Sequence, residues 1–71
     1  MKMSKRQMAS SLASFAPSGS EEQKLFRLAE DHYEAGENCT GPYLYQAKKS
    51  EYAKARRAFV KAVNLRELRV K

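Results

Sequence analysis

The 71-residue chain has no Trp and no Ile, one Cys, one His, two Pro and three Gly. Each shortage excludes a class of protein. A lone Cys39 cannot form an intrachain disulfide, so a reducing, cytoplasmic setting is the default. His32 and Cys39, seven positions apart, supply only two of the three or four ligands a zinc site needs, and no metal or other cofactor is expected. Nor is there a third group to orient a Cys–His nucleophilic pair. Gly19, Gly36 and Gly41 are too scattered to form a phosphate-cradling loop. No catalytic residue can be assigned, and no enzymatic activity is expected. No stretch approaches the roughly 18 apolar residues of a membrane span, so a membrane is not an expected partner.

Apolar residues make up 42% of the chain, but ten of them are Ala. The larger ones are six Leu, three Val, three Phe, four Tyr and three Met. A core of that size roughly balances the entropy lost on ordering the chain. Marginal stability is expected, and dimerisation would complete the core.

What the chain has in quantity is positive charge, and it is segregated. The formal net charge is +6, from 14 Lys and Arg against 8 Asp and Glu. Residues 1–17 carry Lys2, Lys5 and Arg6 and no acid. Residues 18–47 are acidic, with Glu21, Glu22, Glu30, Asp31, Glu34 and Glu37 against Lys24 and Arg27. Residues 48–71 hold nine basic residues, Lys71 included, against Glu51 and Glu67. An acidic middle and a basic end can satisfy one another within the fold, or they can present a basic surface to an anionic partner.

Strand signals are nearly absent and helix signals are plentiful, so the fold class is all-α: a small helical hairpin or three-helix arrangement with a long basic C-terminal helix. Helices are expected near 4–15, 21–35 and 42–64. Ser4 caps the first, in which Met8, Leu12 and Phe15 share one face, and Ala16-Pro17 ends it. Residues 1–17 thus form a basic arm or short helix. Their Ser-rich, acid-free composition also suits a mitochondrial transit peptide, though an ordinary helix or arm is the expected reading. The remaining residues, 18–71, form the helical domain. Ser20 and Gln23 read as a capping box for the acidic helix 21–35, whose stripe is Leu25, Leu28, Ala29, His32 and Tyr33, with Phe26 beside it. Gly36 is the expected stop, residues 36–41 the loop, and a tail follows the basic helix 42–64.

At about 100° per residue, Tyr45, Tyr52, Ala55, Phe59, Ala62 and Val63 fall on one arc of the third helix, the expected core face. Lys54, Arg57 and Lys61 fall opposite it, with Lys49 and Arg56 flanking. Such a face can follow a phosphate backbone, and Tyr43, Tyr45 and Tyr52 lie close enough to stack on bases. The expected function is non-enzymatic binding of nucleic acid, or of a nucleoprotein complex, through Lys49, Lys54, Arg56, Arg57 and Lys61. The competing expectation is a regulator of the kind phages and mobile elements encode, docking on a nucleic-acid-processing protein. Its docking surface would be the Met-rich face of the first helix, Met8, Leu12 and Phe15, with Met1 and Met3 leading into it.

Overall fold

Two serines set where the first helices begin. In α1 (Lys5–Phe15) the Ser4 hydroxyl accepts from the Gln7 amide at 3.1 Å and the Gln7 side chain accepts from the Ser4 amide at 2.9 Å, a closed capping box. In α2 (Glu21–Asn38) the Ser20 hydroxyl accepts from the Gln23 amide at 3.1 Å. Here the box is not closed. Gln23 Oε1 accepts from the Gly19 amide at 2.9 Å, while Gln23 Nε2 donates to the Ala13 carbonyl at 3.0 Å and ties α1 to α2. A 3-10 turn, Pro42–Leu44, leads into α3 (Tyr45–Val70). The computed structural model describes residues 2–70; Met1, Lys71 and the side chain of Tyr43 lie outside the described residues. Among these there is no strand, and the arrangement is all-α with three helices, as the sequence predicts.

Two boundaries differ from expectation. α2 runs past Gly36 to Asn38, because Gly36 is not a stop but a point of close approach. It is buried against the Tyr52 ring, and a Cβ there would lie 2.5 Å from Tyr52 Cε1. The chain reverses at Gly41 instead, whose φ of 101° suits glycine, with Pro42 opening the next turn. α3 then begins at Tyr45 and continues past Asn64 with no tail up to Val70. Leu65, Arg66, Glu67, Leu68 and Arg69 are all good helix formers, and Arg69 is anchored to α2.

The core has a different phase from the one the hydrophobic stripes predict. Phe26 is fully buried, between Ala13 of α1 and Ala62 of α3, with its ring edge-on to Phe59 at 5.6 Å. Tyr33, Ala29, Ala9, Ala55 and Ala58 continue the core toward the other end. Leu28, expected on the stripe of α2, is exposed, and His32 is half-buried. On α3 the buried residues are Ala55, Ala58 and Ala62, flanked by half-buried Tyr52, Phe59 and Val63. Tyr45, assigned to the core arc by its spacing, is 64% exposed. The buried arc is turned away from Tyr45 and toward Ala58 relative to the predicted one. On α1 the difference is larger. Ala9, Ala13 and Ala16 are buried while Met8 and Phe15 are exposed and Leu12 is half-buried. Small side chains let α1 approach close enough for Gln23 to reach the Ala13 carbonyl, and the bulkier stripe is turned outward.

Charged pairs cross between helices at three points. Arg69 Nε and Nη2 bond Glu22 Oε1 and Oε2 at 2.8 and 3.0 Å, joining the last turn of α3 to the first turn of α2. Glu22 is only 4% exposed, and the hydrogen bonds from Arg69 hold its carboxyl below the usual 4.5. Arg69 is raised by the same bonds. Nearer mid-α3, His32 Nδ1 lies 2.7 Å from Glu51 Oε2, and because an ionised carboxylate only accepts, Nδ1 is the donor. That bond likewise lowers Glu51. Arg6 Nε donates to Glu37 Oε2 at 2.9 Å and closes α1 onto the end of α2.

Candidate nucleic-acid interface

α3 spans 26 residues, about 39 Å at 1.5 Å per residue, along a molecule 44 Å in its longest dimension. Its buried alanines fix which side faces water. Lys49, Arg56, Arg57 and Lys61 are exposed, and among the described residues none pairs with a carboxylate. Lys49 to Lys61 covers about 18 Å of helix, a span matching roughly five phosphates of one strand at 3.4 Å each. Asp31 and Glu34 are exposed on α2 alongside Lys24 and Arg27, and Glu67 is the exposed acid of α3.

This rotation of the buried arc rearranges the predicted set. Lys54, expected opposite the core, is exposed, with Nζ 3.8 Å from Glu51 Oε1 three positions earlier on the same helix. At that distance and half-exposed, the pair is weak. Lys49 and Arg57 move to the middle of the solvent face. Arg56 sits on the other flank, beside the N-terminus of α1, and lines a cleft there. Exposed Tyr45 joins Arg56 along one edge of this face, with its ring free to stack. Tyr52 is engaged elsewhere: it packs on Gly36 and Tyr33, with Lys48 Nζ 5.8 Å from its ring centroid.

Met8 and Phe15 project from α1 into solvent, the latter 77% exposed, with Leu12 half-buried beside them. Met3, Met8, Ser11 and Leu12 line a shallow groove of about 190 Å³.

Sequence reasoning missed Arg69 as an internal anchor and counted it only among nine basic residues. No local signal marks it, since Glu22 lies 47 positions away. The pair is visible only once the lengths of α2 and α3 and the Gly41-Pro42 reversal are known. Among the described residues no three His, Cys, Asp or Glu side chains come together as metal ligands would, and no helix is long and apolar enough to cross a membrane. Comparison of the chain with known protein families, characterised proteins and solved structures finds no match.

Proposed function

We propose that the protein is a small non-enzymatic binder of nucleic acid, alone or within a nucleoprotein complex, working through the solvent face of α3. The observation that carries this reading is the row of exposed cations, Lys49, Arg56, Arg57 and Lys61, with no carboxylate partner among the described residues. Lys and Arg arrayed along one rigid helix neutralise successive phosphates and release their counterions. Lys54 contributes from the edge, and Tyr45 adds a stacking surface. Helix-turn-helix recognition is not part of the reading, so contacts are chiefly to the backbone and sequence selectivity is low.

The test is binding to short labelled single- and double-stranded DNA and RNA across a salt series. A slope of log affinity against log salt corresponding to three or four phosphates is expected. Absence of binding at low salt would overturn the reading.

One observation favours a second reading. The outward Met8, Leu12 and Phe15 face of α1 suits docking on a protein, including a nucleic-acid-processing enzyme that the chain would regulate. Capture of such an enzyme with affinity lost in Phe15→Ser, and no salt-dependent nucleic-acid binding, would favour it. A second copy docking on the same face would give a homodimer.

A further inference from the structure

The N-termini of the first two helices are treated differently. α2 carries Glu21 and Glu22 in its first turn, which complement the positive end of its dipole. α1 has no acid in its first turn and opens with Lys5 and Arg6. Ser4 caps the Gln7 amide, leaving the Lys5 and Arg6 amides as the unpaired donors that begin every helix. These residues form one wall of a cleft of about 330 Å³, at the small end of the ~300–1,000 Å³ range of ligand sites. Tyr33, Tyr52 and Arg56 form the other walls.

The decisive group is Tyr33. The residue is buried, at 7% exposed, and its hydroxyl makes no hydrogen bond among the described residues. No enclosed side-chain polar atom lacks a partner among the described residues, so this hydroxyl is open to solvent, and Tyr33 lines the cleft. Arg56 is near enough for its charge to bear on the phenol. Arg6 is held in place by Glu37 through Nε, and its other guanidinium N–H groups remain to donate. The walls therefore carry Lys5, Arg6 and Arg56 against Glu37, an excess of two positive charges. That excess matches the −1.5 to −2 of a phosphomonoester at neutral pH better than the single charge of a carboxylate or a backbone phosphodiester.

We propose that this cleft binds a phosphomonoester, with the amides at the start of α1 and the Arg56 guanidinium on its oxygens and the Tyr33 hydroxyl donating to it. Two sources share this chemistry: a free nucleoside monophosphate and the phosphorylated 5′ end of a strand. The cleft shares Arg56 with the α3 face but uses none of Lys49, Arg57 and Lys61, and the experiment separates the two sites.

Titrate the intact protein with AMP, adenosine and inorganic phosphate, then with 5′-phosphorylated and 5′-hydroxyl octanucleotides at one salt concentration. AMP is expected to bind at least tenfold more tightly than adenosine. Tyr33→Phe, which removes only the hydroxyl, should lose about fivefold in AMP affinity, and Arg56→Gln about tenfold. Backbone amide shifts at Lys5 and Arg6 should track saturation. A 5′ phosphate that raises octanucleotide affinity about tenfold, with the gain lost in Tyr33→Phe, assigns the strand end as the source. AMP discrimination without that gain assigns the free nucleotide. Equal binding of AMP and adenosine, or AMP affinity unchanged in folded Tyr33→Phe and Arg56→Gln, overturns the proposal. Reversing Arg57 and Lys61 should weaken octanucleotide binding and leave AMP binding intact; if AMP binds and no octanucleotide does, the cleft stands and the α3 reading falls.

Discussion

The two helix pairs of this molecule are held by different means. The α2–α3 seam is built from aromatic rings: Phe26 against Phe59, and Tyr33 against both Phe59 and Tyr52. It is pinned near one end by Glu22–Arg69 and again by His32–Glu51. The α1–α2 contact is made by Ala9 and Ala13 with half-buried Leu12, one glutamine tie and one exposed ion pair. Alanine allows close approach but removes little apolar area from water, so α1 gains less from docking than α3 does. The difference divides the labour. The long pair supplies stability and a rigid basic face, while α1 completes a cleft with its N-terminus and turns its bulky residues outward.

The largest expected effect is at the ring that serves both contacts. Phe26→Ala should cost about 3–5 kcal/mol and unfold most of the population, read by thermal or urea denaturation. A loss under about 1 kcal/mol would mean the seam is not the main source of stability. Next is Gly36→Ala. In an ordinary helix this change stabilises by about 1 kcal/mol, but here the new methyl meets Tyr52, and a net loss of roughly 1–3 kcal/mol is expected. Adding Tyr52→Ala should relieve that clash, so the double mutant should be more stable than the sum of the two changes; simple additivity would contradict the close approach.

Acid provides a gentler test. Glu22 and Glu51 are both held below the usual 4.5 in the folded chain, by Arg69 and His32 respectively. Their stabilisation is therefore complete above pH 4.5 and is lost as the pH falls through their lower folded values. Glu22→Gln should flatten the stability profile below pH 4.5 relative to the wild type. A parallel profile would show that the Arg69 pair does not couple to folding. The smallest effect belongs to α1: Phe15→Ser should change stability by no more than about 0.5 kcal/mol, since its ring is exposed. A larger loss would place Phe15 in an intermolecular contact or in the core.

Much of the fold was legible in the sequence. Ser4, Ser20 and Pro17 mark helix ends by local chemistry, and the scarcity of β-branched residues, three Val and one Thr, points away from sheet. The phases were not legible, for a physical reason. Hydrophobic periodicity weights large side chains, so Met8, Leu12 and Phe15 outvote Ala9, Ala13 and Ala16, yet close helix approach selects the small ones. On α3, alanines and cations occur all round the helix, and only the position of α2 decides that Tyr45 faces water. Gly36 illustrates the same limit, since a glycine near a helix end reads as a stop unless the ring packed on it is known. For the candidate interface, the cluster of cations could be read directly, and so could the Lys54–Glu51 pair, three positions apart on one helix, but the diversion of Arg69 to Glu22 depends on helix length and on the reversal at Gly41.

The most direct test of binding through α3 compares the wild type with a Lys49→Glu/Arg57→Glu/Lys61→Glu variant against single- and double-stranded oligonucleotides at low salt, with helicity checked by circular dichroism. All three residues are exposed and unpaired among the described residues, so the variant should fold as the wild type does while its affinity falls at least a hundredfold and its salt slope collapses. A folded variant that binds as well as the wild type would contradict the assignment of α3 as the working surface.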